Sequence, residues 1–306
     1  MMQSLHEASP TPRPPTPLWR SRALRLPGNQ IERYIDPATG VRYYPIPAPD
    51  GDGLLAVPGV TSILSCTDTP EEKQRLRDWR DREIAAGRDP NAGRDRGTRV
   101  HGLLENYIRG ISSPDASEED LDFFTGMERH LDGYQEFLWS ERPLISGWEH
   151  CWNAPEGHPH RLARVWNWLY GYGGTPDLLA RRRGGRVALG DFKSSAKPYY
   201  RCSGKPVPRW HETGYKKYKK TVRQLCAYKM AIEQTLDIHV DILQIIVGLP
   251  RRGEAQMFYI EGAELEVETE RFKQAALQFW KTAPAAETLQ STDNAVAQSL
   301  ALHRSA

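Results

Sequence analysis

Two aspartates and a lysine lie in one short stretch of the chain, GTPDLLARRRGGRVALGDFK, which runs from Gly174 to Lys193. Asp177 belongs to the first apolar run of this stretch, Asp191 and Lys193 belong to the second, and a Gly- and Arg-rich turn separates them. We expect an antiparallel hairpin, which would bring the two acids together. Carboxylate oxygens suit Mg²⁺ or Mn²⁺, and an amine beside such an ion can hold or deprotonate a water. The stretch therefore predicts a site that could cut phosphodiesters.

The same hairpin also has a purely structural interpretation. Asp next to Gly is a common turn pair, and an acid followed two residues later by a lysine is a weak motif when taken alone. Burying Asp177 close to Asp191 without a cation, however, would be costly through desolvation and repulsion. The pairing of the two acids therefore favours a metal site.

Two helical segments are predicted to add polar side chains. In RGTRVHGLLENYIRG, from Arg96 to Gly110, apolar residues repeat at helical spacing. His101 and Glu105 stand four residues apart and share a face, where metal binding and an ordinary polar pair both remain open. A later helix places Gln224 and Tyr228 on one face, although core packing alone would also account for Tyr228.

Positive charge is concentrated in one part of a nearly neutral chain. The net charge is +2, yet residues 181–223 carry 14 Lys and Arg against two acids. A local field of this sign favours a polyanion such as nucleic acid. Residues 194–220 are predicted to form a loop. Its aromatic rings could stack on the bases of single strands or frayed ends, while its cations contact the phosphates. A merely flexible, solvated loop is the alternative. The residues predicted to contact DNA are Lys197, Tyr199, Tyr200, Arg201, Trp210, Tyr215, Lys216, Lys217, Tyr218, Lys219 and Lys220.

Composition indicates a polar chain with a core of reasonable size. It has 306 residues, of which 39% are hydrophobic. The longest apolar stretch, Ile242 to Leu249, is too short to span a bilayer, so we predict no transmembrane segment and no membrane partner. The four cysteines are scattered without zinc-site spacing, which favours a reducing compartment. The Pro- and Arg-rich N-terminal arm leaves organelle targeting open, although its prolines disfavour an amphipathic helix.

Three segments are expected along the chain: a disordered arm at 1–27, a single domain at 28–282 and a loosely ordered tail at 283–306. The order of helical and strand patterns predicts an α/β fold with a central mixed sheet flanked by helices. The apolar residues Leu76, Trp79 and Ile84 of the first long helix are expected to face the core. The expected elements are a hairpin at 33–47, helices at 70–87, 96–110, 117–140, 220–235 and 264–281, and strands at 145–153, 164–170, 174–180, 186–193, 240–249 and 255–260.

Taken in order, these motifs resemble the RecB-type PD-(D/E)xK nucleases. The resemblance rests on RGTRVH with Glu105, then GTPD, GDFK, and Gln224 with Tyr228. The most similar subgroup is the mitochondrial genome maintenance exonuclease with its phage and bacterial relatives, where a V-T-x-I-L stretch, here Val60 to Leu64, precedes a Trp-containing helix. The resemblance covers about residues 58–281. It implies a restriction-endonuclease-like core, with the active site within about 96–282, and an N-terminal helical portion.

The resemblance also implies a set of metal ligands. Asp177 and Asp191 would be the principal ligands of Mg²⁺ or Mn²⁺, together with the backbone carbonyl of Phe192. His101 would be an extra ligand, whose nitrogen makes Mn²⁺ at least as acceptable as Mg²⁺. Glu105 would act through a metal-bound water.

The remaining motif residues would act on the substrate. Lys193 would position or deprotonate the attacking water and offset the charge that develops on phosphorus, while Gln224 and Tyr228 would hydrogen-bond around the scissile phosphate. The implied activity is that of an exonuclease on single-stranded or end-containing DNA, with a metal-activated water as nucleophile. The alternatives are a structure-specific endonuclease that cuts flaps or junctions, and a catalytically silent DNA-end-binding accessory protein of recombination.

Missing motifs limit the expected cofactors and partners. No cysteine follows Cys226, whereas the iron–sulfur branches of this superfamily use a C-terminal trio, so we predict no cluster. No GxxxxGK[ST] stretch occurs, so we expect no nucleotide cofactor, and a helicase or recombination partner would be a separate polypeptide. We expect a monomeric, cytoplasmic protein of bacterial or phage type that acts in DNA repair or recombination.

Overall fold

The computed structural model describes residues 18–26, 33–36, 39–152, 163–202, 207–250 and 254–283. Across these residues the chain forms seven α-helices, eleven strands and two short 3₁₀ turns at Glu149–Cys151 and Arg209–His211. The elements follow one another as α1 (Leu18–Arg22), β1 (Leu24–Leu26), β2 (Tyr34–Ile35), β3 (Arg42–Pro47), β4 (Leu54–Pro58), α2 (Val60–Cys66), α3 (Pro70–Ala85), α4 (Ala92–Ile108), α5 (Glu118–Glu128), β5 (Tyr134–Ser140), β6 (Val165–Asn167), β7 (Tyr172–Gly174), β8 (Leu178–Arg182), β9 (Val187–Ser194), α6 (Glu212–Leu236), β10 (Ile242–Gly248), β11 (Ala255–Ile260) and α7 (Gly262–Thr282).

A five-stranded mixed sheet forms the centre of the fold, in the order β11-β10-β9-β8-β5. Strands β9 and β10 run parallel, and the other neighbouring pairs are antiparallel. The parallel pair needs a crossover connection, which α6 provides. The predicted α/β class, with a central mixed sheet flanked by helices, is confirmed, and the strands predicted at 240–249 and 255–260 correspond to β10 and β11.

The two faces of this sheet carry separate apolar layers. On one face, residues such as Leu179 and Leu189 pack against helices α2, α6 and α7. On the other face, Leu178 and Phe192 pack with the inner sides of α4 and α5. Because successive strand residues point to opposite faces, neighbours in β8 and in β9 separate into these two layers. None of the described helices is long and apolar enough to cross a membrane.

A second sheet of four antiparallel strands, β1-β4-β3-β2, lies N-terminal to the central one. Its β2–β3 pair is the hairpin predicted at 33–47. Helix α1 and strand β1 fall inside the arm that was predicted to be disordered at 1–27. Trp19 is buried and donates its indole N–H to the Trp168 carbonyl oxygen at 2.7 Å. The ordered part of the chain therefore begins before the predicted boundary at 28, while residues 1–17 and the tail at 284–306 lie outside the described residues.

The helix predicted at 117–140 is wrong in its second half. Helix α5 ends at Glu128, and the chain continues as strand β5, which pairs with β8 at the edge of the central sheet. Apolar residues at helical spacing continue from one element into the other, so the pattern alone does not show the break. Pairing with β8 decides the outcome, since tertiary context overrides local preference.

The strand predicted at 145–153 is also wrong for its described part. A 3₁₀ turn at Glu149–Cys151 takes its place, and Trp152 forms only an isolated bridge with Ala163. The left-handed Gly147 (φ 93°) interrupts the extended run on which the prediction depended. The strand predicted at 164–170 is shorter than expected, because β6 covers only Val165–Asn167.

Helix α3 lies on the surface, and none of its residues is buried. The prediction that Leu76, Trp79 and Ile84 face the core is wrong, since they are 57%, 40% and 62% exposed. The start of the helix is fixed instead by a capping box, in which Thr69 accepts from the Glu72 N–H and the Glu72 side chain accepts from the Thr69 N–H.

Candidate active site

The β8–β9 hairpin brings the two aspartates of the GTPD and GDFK motifs together. In its register Leu178 is opposite Gly190, so Asp177, one residue before β8, comes next to Asp191 on β9. Strand alternation directs Asp177, Asp191 and Lys193 towards the face that α6 covers. Both carboxylates are removed from solvent, with Asp177 8% and Asp191 1% exposed.

Lys193 forms an ion pair with Asp191, which precedes it by two residues on the same face of β9. Burial raises the pKa of Asp191 to about 6, and the nearby charge of Lys193 limits this rise. Burial alone would lower the pKa of Lys193, but the carboxylates of Asp191 and Asp177 outweigh it and raise the pKa above its ordinary value. Lys193 therefore carries its proton at neutral pH and can donate a hydrogen bond rather than accept a proton.

Helix α4 places His101 against the hairpin. Its Nε2 lies 2.9 Å from the Phe192 carbonyl oxygen, and its Nδ1 lies 3.3 Å from Glu141 Oε1 and 3.8 Å from Asp177 Oδ1. Burial would lower the pKa of His101, but the carboxylates of Asp177 and Glu141 outweigh burial and raise it to about 9. At neutral pH the ring is thus an imidazolium that donates to Phe192 and Glu141.

Glu141 belongs to this group, and the sequence analysis did not identify it. It follows β5 with a left-handed backbone (φ 54°), which is uncommon for a residue with a side chain and concentrated at functional sites. Its N–H donates to the Asp177 carbonyl oxygen at 3.1 Å, which fixes the end of β5 to the hairpin. The aromatic run of β5 ends just before Glu141 and could have indicated a strand whose end carries an acid. The prediction of a helix at 117–140 assigned that run to a helix instead.

The residues at this point have the chemistry of a divalent cation site. His101, Glu141 and Asp177 each offer a ligand atom, and these atoms lie within 4.8 Å of one another. Within the described part of the chain, neither carboxylate oxygen of the buried Asp191 has a well-aligned hydrogen bond, although one of them contacts the Lys193 ammonium. Buried acids without hydrogen bonds are rare unless an ion or water completes them, and a nitrogen with several carboxylate oxygens suits Mg²⁺ or Mn²⁺.

Glu105, by contrast, is not brought to this group. Its Oε1 lies 3.0 Å from Arg109 Nε and 3.0 Å from Arg142 Nε, so the carboxylate joins two arginines. The predicted water-mediated contact between Glu105 and a metal therefore has no support in these contacts.

The α6 residues Gln224 and Tyr228 line the same cleft as the acids. Tyr228 is buried and packs on Gly174, where an added Cβ would lie 2.8 Å from Tyr228 Cε1 and 3.1 Å from its hydroxyl. The glycine of the GTPD motif therefore leaves the space that the ring fills. Burial, reinforced by nearby Tyr44 and Asp177, raises the pKa of Tyr228 well above its ordinary value, so its hydroxyl keeps its proton and can donate.

A family model that describes the PD-(D/E)XK nuclease superfamily matches residues 71–301, about three quarters of the chain. The chain belongs to the PD-(D/E)XK nuclease superfamily. Nucleases of this superfamily act on DNA with divalent metals, in agreement with the group formed by His101, Glu141 and Asp177. A search of the curated proteins finds no match to this nuclease.

The stretch of the nuclease predicted as a DNA-binding loop is partly a helix, because α6 begins at Glu212. Two of its aromatic residues are buried, Tyr199 at 5% and Tyr218 at 0% exposure, so the prediction that their rings stack on bases is wrong. The Tyr218 hydroxyl instead donates to Glu264 at 3.0 Å. Trp210, at 80% exposure, is the ring most available for stacking.

Most cations of this stretch are paired with acids of the nuclease itself. Lys217 is an exception and donates to the Ser195 hydroxyl at 3.3 Å. The ion pairs are Lys216 with Glu72 and Glu212, Lys219 with Glu264 and Glu268, Lys220 with Asp68, and Arg201 with Glu264. The high positive charge predicted from the sequence is therefore largely neutralised in the fold. DNA contacts by Lys197, Tyr200, Trp210, Tyr215 and Lys217 stay predictions.

The active site opens into a cleft of about 930 Å³. Of the described residues that line this cleft, none comes from the predicted DNA-binding set between 197 and 220. Four arginines line it instead, Arg33 and Arg42 from the N-terminal sheet region, Arg94 from α4, and Arg142 after β5. These four arginines are far apart along the chain, so no local sequence pattern indicates that they share a cleft.

Proposed function

We propose that this nuclease is a Mg²⁺- or Mn²⁺-dependent DNA exonuclease that acts on single-stranded or end-containing DNA. The observation that carries the proposal is the burial of Asp177 beside Asp191, next to Lys193 and His101. Two buried carboxylates repel each other and would also repel a phosphate. A bound cation removes both difficulties, so the acids are useful in a nuclease only when a cation accompanies them.

His101, Asp177 and Glu141 would hold the cation, with Asp191 and the Phe192 carbonyl beside them. When bound, a divalent cation supplies Lewis-acid polarisation of the phosphodiester and activation of the attacking water. We assign the backbone oxygen of Phe192 and both aspartates as cation ligands because of the motif resemblance and of their positions.

The residues around the acids would act on the substrate directly. The protonated Lys193 ammonium can donate to the attacking water or to a phosphate oxygen and so stabilise negative charge that develops in the transition state. The Tyr228 hydroxyl and the Gln224 amide face the same cleft and can orient the scissile phosphate.

The preference for single strands and ends has a steric reason. Asp177 and Asp191 are both buried, and Asp177 lines a cleft whose walls include α4 and the N-terminal sheet region. A phosphate in a flexible strand or a frayed end can descend to them more readily than one in the middle of a stiff duplex. The motif order supports the RecB-type branch, with the mitochondrial exonuclease subgroup as its most similar part. We propose in addition that the nuclease is a monomer of the cytoplasm.

The proposal is tested by digesting end-labelled linear single-stranded DNA, linear duplex and circular single-stranded DNA with Mg²⁺ or Mn²⁺. We expect the linear substrates to shorten from an end, the circle to remain intact, and EDTA to stop the reaction. Asp177→Asn, Asp191→Asn and Lys193→Ala should each abolish cleavage while DNA binding is largely kept. Asp132→Asn, which changes an exposed acid, is the matched control and should cut normally.

Each result has a defined meaning. Cleavage in EDTA, or full activity of the Asp177→Asn and Asp191→Asn variants, would contradict the metal site. Rapid cutting of the circle would replace the exonuclease with an endonuclease. Stable DNA binding without cleavage by the wild type in either metal would favour a silent end-binding protein.

A further inference from the structure

The N-terminal sheet region is attached directly to the catalytic segment. The carbonyl oxygen of Arg42, the first residue of β3, accepts from the Gly59 N–H at 2.7 Å, and the Arg42 N–H donates to Ser62 Oγ at 2.9 Å. Gly59 forms a parallel bridge with Gly173, one residue before the Gly174 on which Tyr228 packs. Arg42 is therefore fixed, through a short series of backbone contacts, at one wall of the active-site cleft.

Two arginines of this wall have no acid partner among the residues that the structure describes. Among the described residues, Arg33 and Arg42 form no ion pair, and the buried Nε of Arg42 lacks a hydrogen-bond partner. Their surroundings differ from those of Arg142, which is paired with Glu105, and from the paired lysines of α6. Arg33 is exposed, whereas Arg42 is half-buried, and a buried Nε without a partner is costly unless a ligand supplies an anion.

The cleft as a whole has cations around an acidic centre. Its lining contains five Lys and Arg side chains and three acids, and two of the acids, Glu141 and Asp177, belong to the metal group. A guanidinium can bind the two oxygens of a phosphate with parallel hydrogen bonds, whereas an ammonium cannot. The unpaired arginines are thus suited to the phosphates on either side of the one that is cut.

We propose that Arg42 and Arg33 form a phosphate-binding subsite, which holds the backbone of a single DNA strand next to the scissile phosphate. The subsite adds a DNA contact inside the cleft, which none of the described residues between 197 and 220 lines. It rests on the proposed function, in that the ligand is the DNA which the acidic centre would cut. Both arginines precede residue 71, where the match to the superfamily model begins, so the match itself says nothing about them.

Binding without cleavage provides the test. The full-length wild type, Arg42→Gln, Arg33→Gln and Arg42→Lys are titrated in EDTA against a fluorescent single-stranded oligonucleotide at several salt concentrations. Each Gln variant should bind about tenfold more weakly, because a charge-assisted hydrogen bond is lost. The slope of log K against log salt should become shallower by about 0.7 for each lost phosphate contact on a single strand. Arg42→Lys should keep the slope and lose part of the affinity, since the charge stays and the paired geometry goes.

Arg183→Gln is the matched control, because this exposed arginine lies in the turn at the far end of the β8–β9 hairpin. Its affinity and its salt slope should equal those of the wild type. Thermal unfolding of every variant within a few degrees of the wild type excludes loss of fold as the cause. If Arg42→Gln alone unfolds, Arg33→Gln and Arg42→Lys still decide the outcome.

The test separates this subsite from the proposed activity. If the wild type does not cut DNA but the Arg variants bind more weakly, the activity fails and the subsite stands. If the wild type cuts and both Gln variants keep the wild-type affinity and slope, the subsite is refuted while the activity stands. Tighter binding of RNA than of DNA with the same sequence would overturn the choice of DNA as the ligand.

Discussion

Replacing Glu268 with Gln should destabilise this nuclease strongly, although the residue is far from the motifs. Glu268 lies on α7 with 0% exposure, and its carboxylate accepts from Lys219 at 2.7 Å and Arg223 at 2.7 Å on α6, and from Arg271 at 2.6 Å. Removing one member of a buried ion pair costs about 3–5 kcal/mol, because the remaining charge stays uncompensated. The three cations here are partly exposed and can recover some hydration, so we expect about 3 kcal/mol.

With an unfolding entropy of about 2.1 cal/mol/K per residue, about 3 kcal/mol corresponds in a chain of 306 residues to a fall in Tm of roughly 5 °C. Thermal and urea unfolding at pH 7.5 measure this loss of stability.

The pH dependence of the stabilisation by Glu268 has a defined sign. Burial raises the pKa of Glu268, but hydrogen bonds from Lys219 and Arg223 outweigh it and lower the pKa below the ordinary 4.5. The stabilisation is therefore present above pH 4.5 and is lost as the pH falls through the lowered pKa, where wild type and variant should converge.

Glu270→Gln is the control on the same helix, since Glu270 is exposed and contacts the neighbouring Lys273 and Gln274. Its effect should stay within about 0.5 kcal/mol. A Glu268→Gln protein within about 1 kcal/mol of the wild type would refute the assignment of Lys219 to a structural network. A marked loss of DNA affinity in Lys219→Gln, with unchanged stability, would restore Lys219 to the DNA-binding surface.

Two further predictions concern the active site. Cation binding must displace the His101 proton, whose pKa the carboxylates of Asp177 and Glu141 raise to about 9 against burial. Calorimetry should therefore show about one proton released per Mn²⁺ bound at pH 7, and the affinity for Mn²⁺ should rise about tenfold per pH unit up to pH 9. Glu141→Gln should weaken Mn²⁺ binding at least about tenfold. Equal affinities at pH 7 and pH 8.5 would exclude His101 as a ligand. Gly174→Ala should displace the Tyr228 ring, which costs about 1–3 kcal/mol of stability and lowers the cleavage rate without loss of DNA affinity. Gly133→Ala is the control and should behave as wild type, because only one atom lies near the new Cβ, at 3.9 Å.

The parts of the site that the sequence predicts depend on local patterns. Asp177, Asp191 and Lys193 belong to one hairpin, whose apolar runs and Gly-rich turn fix both pairing and register within twenty residues. His101 is placed by an amphipathic helix with a clear apolar face, of which Val100 and Leu104 are buried. In each case the information that positions the side chain lies in its immediate neighbours.

The parts that the sequence does not predict depend on pairing between distant segments. Glu141 reaches the metal group only because β5 pairs with β8 and the chain then turns through a left-handed residue. Periodicity does not distinguish this strand from a continuation of α5. The charge of the 194–220 stretch is misleading for a related reason, since most of its acid partners come from distant segments: Asp68 from the α2–α3 connection, Glu72 from α3, and Glu264 and Glu268 from α7.

The neutralisation of α6 and the unpaired arginines of the N-terminal sheet are connected through the fold. Helix α6 must pack its apolar face on the sheet while it carries Gln224 and Tyr228 to the acids, and α2, α7 and the start of α3 lie around it. Acids from these neighbours pair with its lysines, which stabilises the helix but leaves less free charge for DNA. Free positive charge beside the active site must then come from a different element. The N-terminal sheet, joined to Gly173 through Gly59, can provide it without competing with the packing of α6.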